Sequence, residues 1–109
     1  KMLKLNNTDI HITQGDTGYL NVIVKNSKGV ERIHRDGDTL TLTVKKNISD
    51  KEVIKKVINS NETFSILPAD TQNLSLGRYK YDIQLNTSLG EVFTVIPKSA
   101  FYIEEGVTE

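Results

Sequence analysis

The side chains in this sequence that could carry chemistry are few and scattered. Histidine, the side chain best suited to proton transfer near neutral pH, occurs twice, as His11 and His34. His11 stands between Ile10 and Ile12, on what should be the solvent face of a strand, and His34 sits in a turn beside Arg35. Both read as surface histidines, and neither has a partner at a metal-ligand spacing such as His-Glu-x-x-His. Asp36-Gly37-Asp38 is the best candidate for a calcium loop, with Asp16 as a further oxygen donor. Calcium takes about six to eight oxygens, and the Asp-x-Asp-x-Asp-Gly run with its distal Glu is missing. The triplet reads instead as a solvated hairpin turn. No serine lies in Gly-x-Ser-x-Gly. Gly15-Asp-Thr-Gly18 is too short for a phosphate loop and precedes a strand, not a helix. We therefore expect no catalytic residue, no metal site and no cofactor.

Binding chemistry is equally thin. Aromatic residues make up 6% of the chain and Trp is absent, so a stacking platform for sugars or bases would compete with the core for the same rings. Lys45-Lys46 and Lys55-Lys56 could form a basic patch, but they suit solvated strand edges that deter edge-to-edge aggregation. Fourteen Lys and Arg balance fourteen Asp and Glu. That balance lacks the electrostatic footprint of a nucleic-acid or anionic-membrane binder, and low mutual repulsion permits assembly of copies. With no cysteine there is no disulfide framework, thiolate nucleophile or cysteine metal site, which suits a reducing cytosol. No apolar run reaches the roughly 20 residues needed to span a bilayer, and Lys1–Leu5 is too short an apolar region for an export signal. The Asn-x-Ser/Thr triplets at Asn6, Asn47, Asn61, Asn73 and Asn86 read as chance in an Asn- and Thr-rich chain.

The elements that must position these residues are strands. At 109 residues, the chain reads as a single domain over 1–109. Its centre is the stretch from Leu67 to Pro97. From Gly77 the pattern alternates, with Tyr79, Tyr81, Ile83 and Leu85 on one face and Arg78, Lys80, Asp82 and Gln84 on the other, the period of a half-buried strand. Asn86–Gly90 predicts a short turn that returns an antiparallel strand. Before this hairpin, Asp9–Thr13 predicts a first strand with Ile10 and Ile12 inward. Tyr19–Lys25 predicts a second strand, and Asn-Ser-Lys-Gly turns it into a third over Val30–Ile33. Thr39–Lys46 alternates cleanly, with Leu40, Leu42 and Val44 inward.

The segment Asn47–Ile58 fits either a strand or a helix. Ser49 and Glu52 make a capping box, but Val53–Ile58 is short and mostly β-branched, which favours a strand forming a hairpin with Thr63–Leu67. Pro68 stops that run and Asp70 is expected to cap one helical turn over Thr71–Leu74. Past Pro97, Phe101–Glu105 predicts a last short strand, followed by a polar tail. The sum is an all-β, immunoglobulin-like antiparallel sandwich of about eight or nine short strands. Gly77 followed by Tyr79 and Tyr81 suggests a tyrosine corner, in which a tyrosine hydroxyl bonds to the backbone just upstream. Asp70, Gly77, Tyr79 and Tyr81 are its expected members, with Tyr79 as the corner tyrosine.

Four runs together carry a resemblance: Ile12–Thr17, Leu40–Lys46, Pro-Ala-Asp-Thr-x-x-Leu-x-x-Gly-x-Tyr-x-Tyr-Asp-Ile-Gln-Leu over Pro68–Leu85, and Gly90–Ile103. Across nearly the whole chain they resemble the N-terminal β-sandwich domain of siphophage upper-baseplate proteins, and related tail or fibre modules of phages and prophages of Gram-positive bacteria. The resemblance implies a non-enzymatic virion component, made in the host cytoplasm, that attaches to copies of itself and to other virion proteins. No nucleic acid, membrane or small-molecule substrate is expected. The first strand and the last are the expected contact edges, through Ile10, Ile12, Phe101 and Ile103. The alternative is a carbohydrate-binding or adhesin-type module of a bacterial surface protein.

Overall fold

The computed structural model describes residues 5–6 and 8–107, with side chains from Thr8 onward. The stretch read for an export signal lies outside the described residues, save the backbone of Leu5, as does the end of the polar tail. Eight strands and one turn of helix follow in order: β1 (Leu5–Asn6), β2 (Asp9–Thr13), β3 (Gly18–Leu20), β4 (Thr39–Lys45), β5 (Glu52–Asn59), β6 (Phe64–Ile66), α1 (Pro68–Thr71), β7 (Gly77–Asn86) and β8 (Val92–Glu104). Six of them form one curled sheet in the order β1-β2-β8-β7-β4-β5, and β3 with β6 forms a second, smaller one. The fold is all-β, as the alternation predicts.

The alternating strands behave as their sequences dictate. β4 places Leu40, Leu42 and Val44 in the core, all fully buried, and β7 does the same with Tyr79, Tyr81, Ile83 and Leu85. Thr39, Thr41 and Thr43 lie on the opposite face, level with Asn86, Gln84 and Asp82 of β7. Leu20, Phe64 and Ile66 of the small sheet join the same core cluster, so the small sheet covers the inner face of the large one. Within Asn47–Ile58 the strand begins at Glu52, after a turn in which the Asp50 amide donates to the Asn47 carbonyl at 3.0 Å: β5 pairs antiparallel with β4 from Thr39↔Asn59 to Lys45↔Glu52.

Several expectations are corrected. The run Tyr19–Lys25 leaves the ladder after Leu20, and Val30–Ile33 forms no strand. The Asn26–Gly29 turn between them does form, its Asn26 Oδ1 accepting the Lys28 and Val30 amides at 2.9 and 3.0 Å. Beyond it only a Lys25↔Glu31 bridge remains. Ile33 is 82% exposed, because no layer covers this segment. β5 and β6 form no hairpin with each other either. The Ser60 amide donates to the Asp38 carbonyl at 3.0 Å, and the chain crosses there from the large sheet to the small one.

The sheet is also not purely antiparallel. β2 runs parallel to β8, in the register Ile10↔Phe101 and Ile12↔Ile103, so strands from opposite ends of the chain are neighbours. The last strand is not a separate short piece: β8 continues through Pro97 by shifting register twice opposite Tyr81–Gln84. Such bulges accommodate a residue that cannot donate to the ladder.

Candidate functional site

Tyr79 makes the upstream hydrogen bond expected of a corner tyrosine. Tyr79 is buried, and its hydroxyl donates to the Ser75 carbonyl at 2.8 Å, four residues upstream. Gly77 opens the corner at φ +129, a backbone conformation that side chains resist, and Lys46 Nζ lies 4.5 Å from the Tyr79 ring centre. Tyr79→Phe is expected to cost about 1 kcal/mol, the usual net contribution of one such hydrogen bond. Urea titration of the two proteins measures it.

Tyr81 has a different task. It donates to the Thr8 carbonyl and packs edge-on against Phe101, with ring centres 6.1 Å apart, so it ties β7 to the entry of β2. Burial, aided by the Asp9 charge, pushes its hydroxyl up to about 12.

Asp70 does not sit ahead of the helical turn as an N-cap. It lies within α1 and reaches back, its carboxylate accepting the Leu67 amide at 2.7 Å. The same oxygen meets Lys56 Nζ at 2.8 Å. Lys56 stands opposite Leu42, on the inner face of β5, so the pair closes the open side of the core with charge.

Ile10, Ile12, Phe101 and Ile103 are core side chains, each 4% exposed or less, and they face one another across the parallel ladder. β8 is an interior strand, flanked by β2 and β7. The edges of the large sheet are instead β1 and β5, and no strand lies beyond β5 among the described residues. On the outer side of β5, Val53 is 38% and Val57 58% exposed, spaced by Lys55.

The two histidines are more engaged than surface positions suggest. His11 Nδ1 lies 2.8 Å from Glu104 Oε2 and its ring stacks on Tyr102 with centres 4.5 Å apart. The group is open to solvent. His34 is half-buried, with Nδ1 2.5 Å from Ser60 Oγ. Serine and histidine in contact suggest nucleophilic chemistry when a carboxylate orients the imidazole. Here the nearby Asp38 carboxylate is taken by other donors, and the niche beside His34 holds about 90 Å³, well below the roughly 300 Å³ at which ligand pockets begin.

Asp38 is the residue that sequence reasoning misjudged. It is not in a solvated turn; it is fully buried. Its Oδ2 accepts Arg32 at 3.2 Å and the Arg35 amide at 3.3 Å, while Oδ1 accepts the Ser88 amide at 3.1 Å. Burial disfavours its charge, but the Ser88 and Arg35 amides and Arg32 outweigh that and hold its carboxyl below the ordinary value. Gly37 permits the approach: at φ +91, a Cβ there would stand 2.8 Å from Ser88 Cβ. The signal was the glycine between two acids, which marks a close passage of backbone as well as a turn. No group of three or more His, Cys, Asp or Glu side chains converges among the described residues, and Asp16 lies in the β2–β3 turn.

What the arrangement offers chemically is contact: an open strand edge, an uncovered outer sheet face and rigidly tied loops. No family model and no curated protein matches this sequence.

Proposed function

We propose that this chain is a non-enzymatic structural module of a tailed-phage or prophage particle, in its baseplate, tail or fibre, that binds copies of itself and neighbouring virion proteins. The observation that carries the reading is the eight-residue β5 at the open edge of the six-stranded sheet, with Val53 and Val57 presented outward. An exposed edge can take a further strand through main-chain hydrogen bonds, with alternate side chains giving specificity. The inward Lys56, paired with Asp70, is the kind of charge that keeps such an edge from open-ended aggregation. An immunoglobulin-like sandwich is the finer fold reading. It rests on the Tyr79 corner and on the small β3–β6 layer over the large sheet. Closed symmetric rings are the usual outcome of such self-contacts.

Two measurements test the proposal. Mass spectrometry of purified particles from the host that carries the gene is expected to find this chain. Its recovery only in a cell-wall fraction would replace the reading with the surface-protein alternative. Sedimentation velocity is expected to show concentration-dependent association, weakened about ten-fold or more by Val53→Lys with Val57→Lys, the effect of losing two central apolar contacts.

A further inference from the structure

A cavity lies on the outer face of the six-stranded sheet, over β4 and β7. It is an open trough of about 340 Å³ lined by Thr43, Lys45, Ile48, Lys80, Asp82, Gln84 and Lys98, along with Tyr81. The fold creates it where β8 shifts register through Pro97 opposite Tyr81–Gln84. Its volume is at the lower end of small-ligand sites.

Two observations point to an anion in it. Lys45 and Lys80 are direct cross-strand partners in the β4–β7 ladder, and like charges placed opposite one another are destabilising. Among the described residues, the ion pairs are His11–Glu104, Arg32–Asp38 and Lys56–Asp70, so none reaches Lys45, Lys80 or Lys98. Lys45 makes one long contact, to the Ile48 carbonyl at 3.5 Å, and Glu52, its opposite number on β5, forms no ion pair with it. Asp82 shares the trough but, among the described residues, forms no ion pair with any of the three.

The charge and the residue types narrow the ligand. Three lysines against one aspartate leave a net charge of about +2, which matches the roughly −1.5 to −2 of a phosphomonoester at neutral pH. Lysine holds phosphate as a point charge, without the bidentate fork that arginine offers to phosphate and carboxylate alike, and no arginine lines the trough. Thr43, Gln84 and Asp82 supply hydrogen-bonding groups for hydroxyls, and exposed Ile48 supplies an apolar wall. We infer that this trough binds a phosphomonoester carried on a small hydroxylated scaffold, of the sugar-phosphate class.

The test is a titration followed by amide NMR shifts at low ionic strength, with glucose 6-phosphate, inorganic phosphate and glucose as probes. Glucose 6-phosphate is expected to give saturable shifts around Lys80–Gln84 and Lys98, with higher affinity than inorganic phosphate, and glucose to give none. Lys80→Ala and Lys98→Ala are each expected to weaken binding about ten-fold. Because Lys80→Ala relieves the repulsion with Lys45, it is also expected to leave the melting temperature unchanged or raised. Absence of saturable shifts with glucose 6-phosphate, or shifts untouched by both substitutions, would overturn the inference. Equal affinity for inorganic phosphate and glucose 6-phosphate would overturn the hydroxylated scaffold.

Discussion

Phe64→Ala is expected to lower the unfolding free energy by about 3–5 kcal/mol, the range for removing a fully buried phenylalanine. Against the roughly 5–15 kcal/mol available to a domain of this size, that leaves a marginal protein. Phe64 has no accessible surface, and it belongs to the smaller sheet, which consists of three paired positions: Gly18↔Ile66, Tyr19↔Ser65 and Leu20↔Phe64. An isolated two-stranded ribbon is marginal in water. The small sheet is therefore held by the apolar side chains it lowers onto the large one, of which Phe64 is the largest. Guanidinium titration followed by tyrosine fluorescence measures the loss, with Ile33→Ala as the control. Ile33 is 82% exposed, so its truncation should change stability by no more than about 0.5 kcal/mol. A loss below about 1 kcal/mol at Phe64 would mean that the small sheet does not complete the core.

The second large effect is at Asp38. Asp38→Ala strips a half-buried guanidinium partner and two backbone amides of their acceptor, and is expected to lower the melting temperature by more than about 5 °C. Asp38→Asn keeps the shape and isolates the charge. The carboxyl is held below its ordinary value in the folded protein, so the unfolded chain binds the proton more readily. Its contribution is complete above the ordinary aspartate value of 3.8 and drains away as the pH falls below that. Melting temperatures of the wild type between pH 7 and 2.5 should therefore show an acid limb that is shallower in Asp38→Asn. Parallel limbs would show that the buried carboxylate is not what acid attacks.

Much of the fold was legible because alternation reports directly which face of a strand is buried. Leu40, Leu42, Val44, Tyr79, Ile83 and Leu85 are where their period of two puts them, and the Tyr79 hydroxyl finds the upstream backbone that the corner motif requires. Alternation says nothing about which strand lies beside which. Ile10 reads as inward and Phe101 as the start of a last short strand, yet nothing local reveals that they face each other across a parallel ladder, or that β8 is an interior strand. The Asn26–Gly29 turn signal predicted a returning strand over Val30–Ile33; the turn forms, but only the Lys25↔Glu31 bridge follows it. Asp38 was hidden differently. Acids beside glycine in a turn are usually solvated, and only the arrival of Ser88 from the β7–β8 turn makes this one a buried anchor. The lysine trough needed the same three-dimensional meeting, since Lys45, Lys80 and Lys98 come from three different strands.

The parallel pairing of β2 with β8 has a kinetic corollary. Asp9 and Ala100, bonded through the Asp9 side chain, are 91 residues apart, so this ladder closes a very long loop. β2 can find its neighbour only after β8 has emerged, and until then its apolar Ile10 and Ile12 wait uncovered. High sequence separation of this kind places folding in the slow, millisecond-to-second regime of β-rich topologies. It also makes the nascent chain most vulnerable to sticking before its final strand arrives.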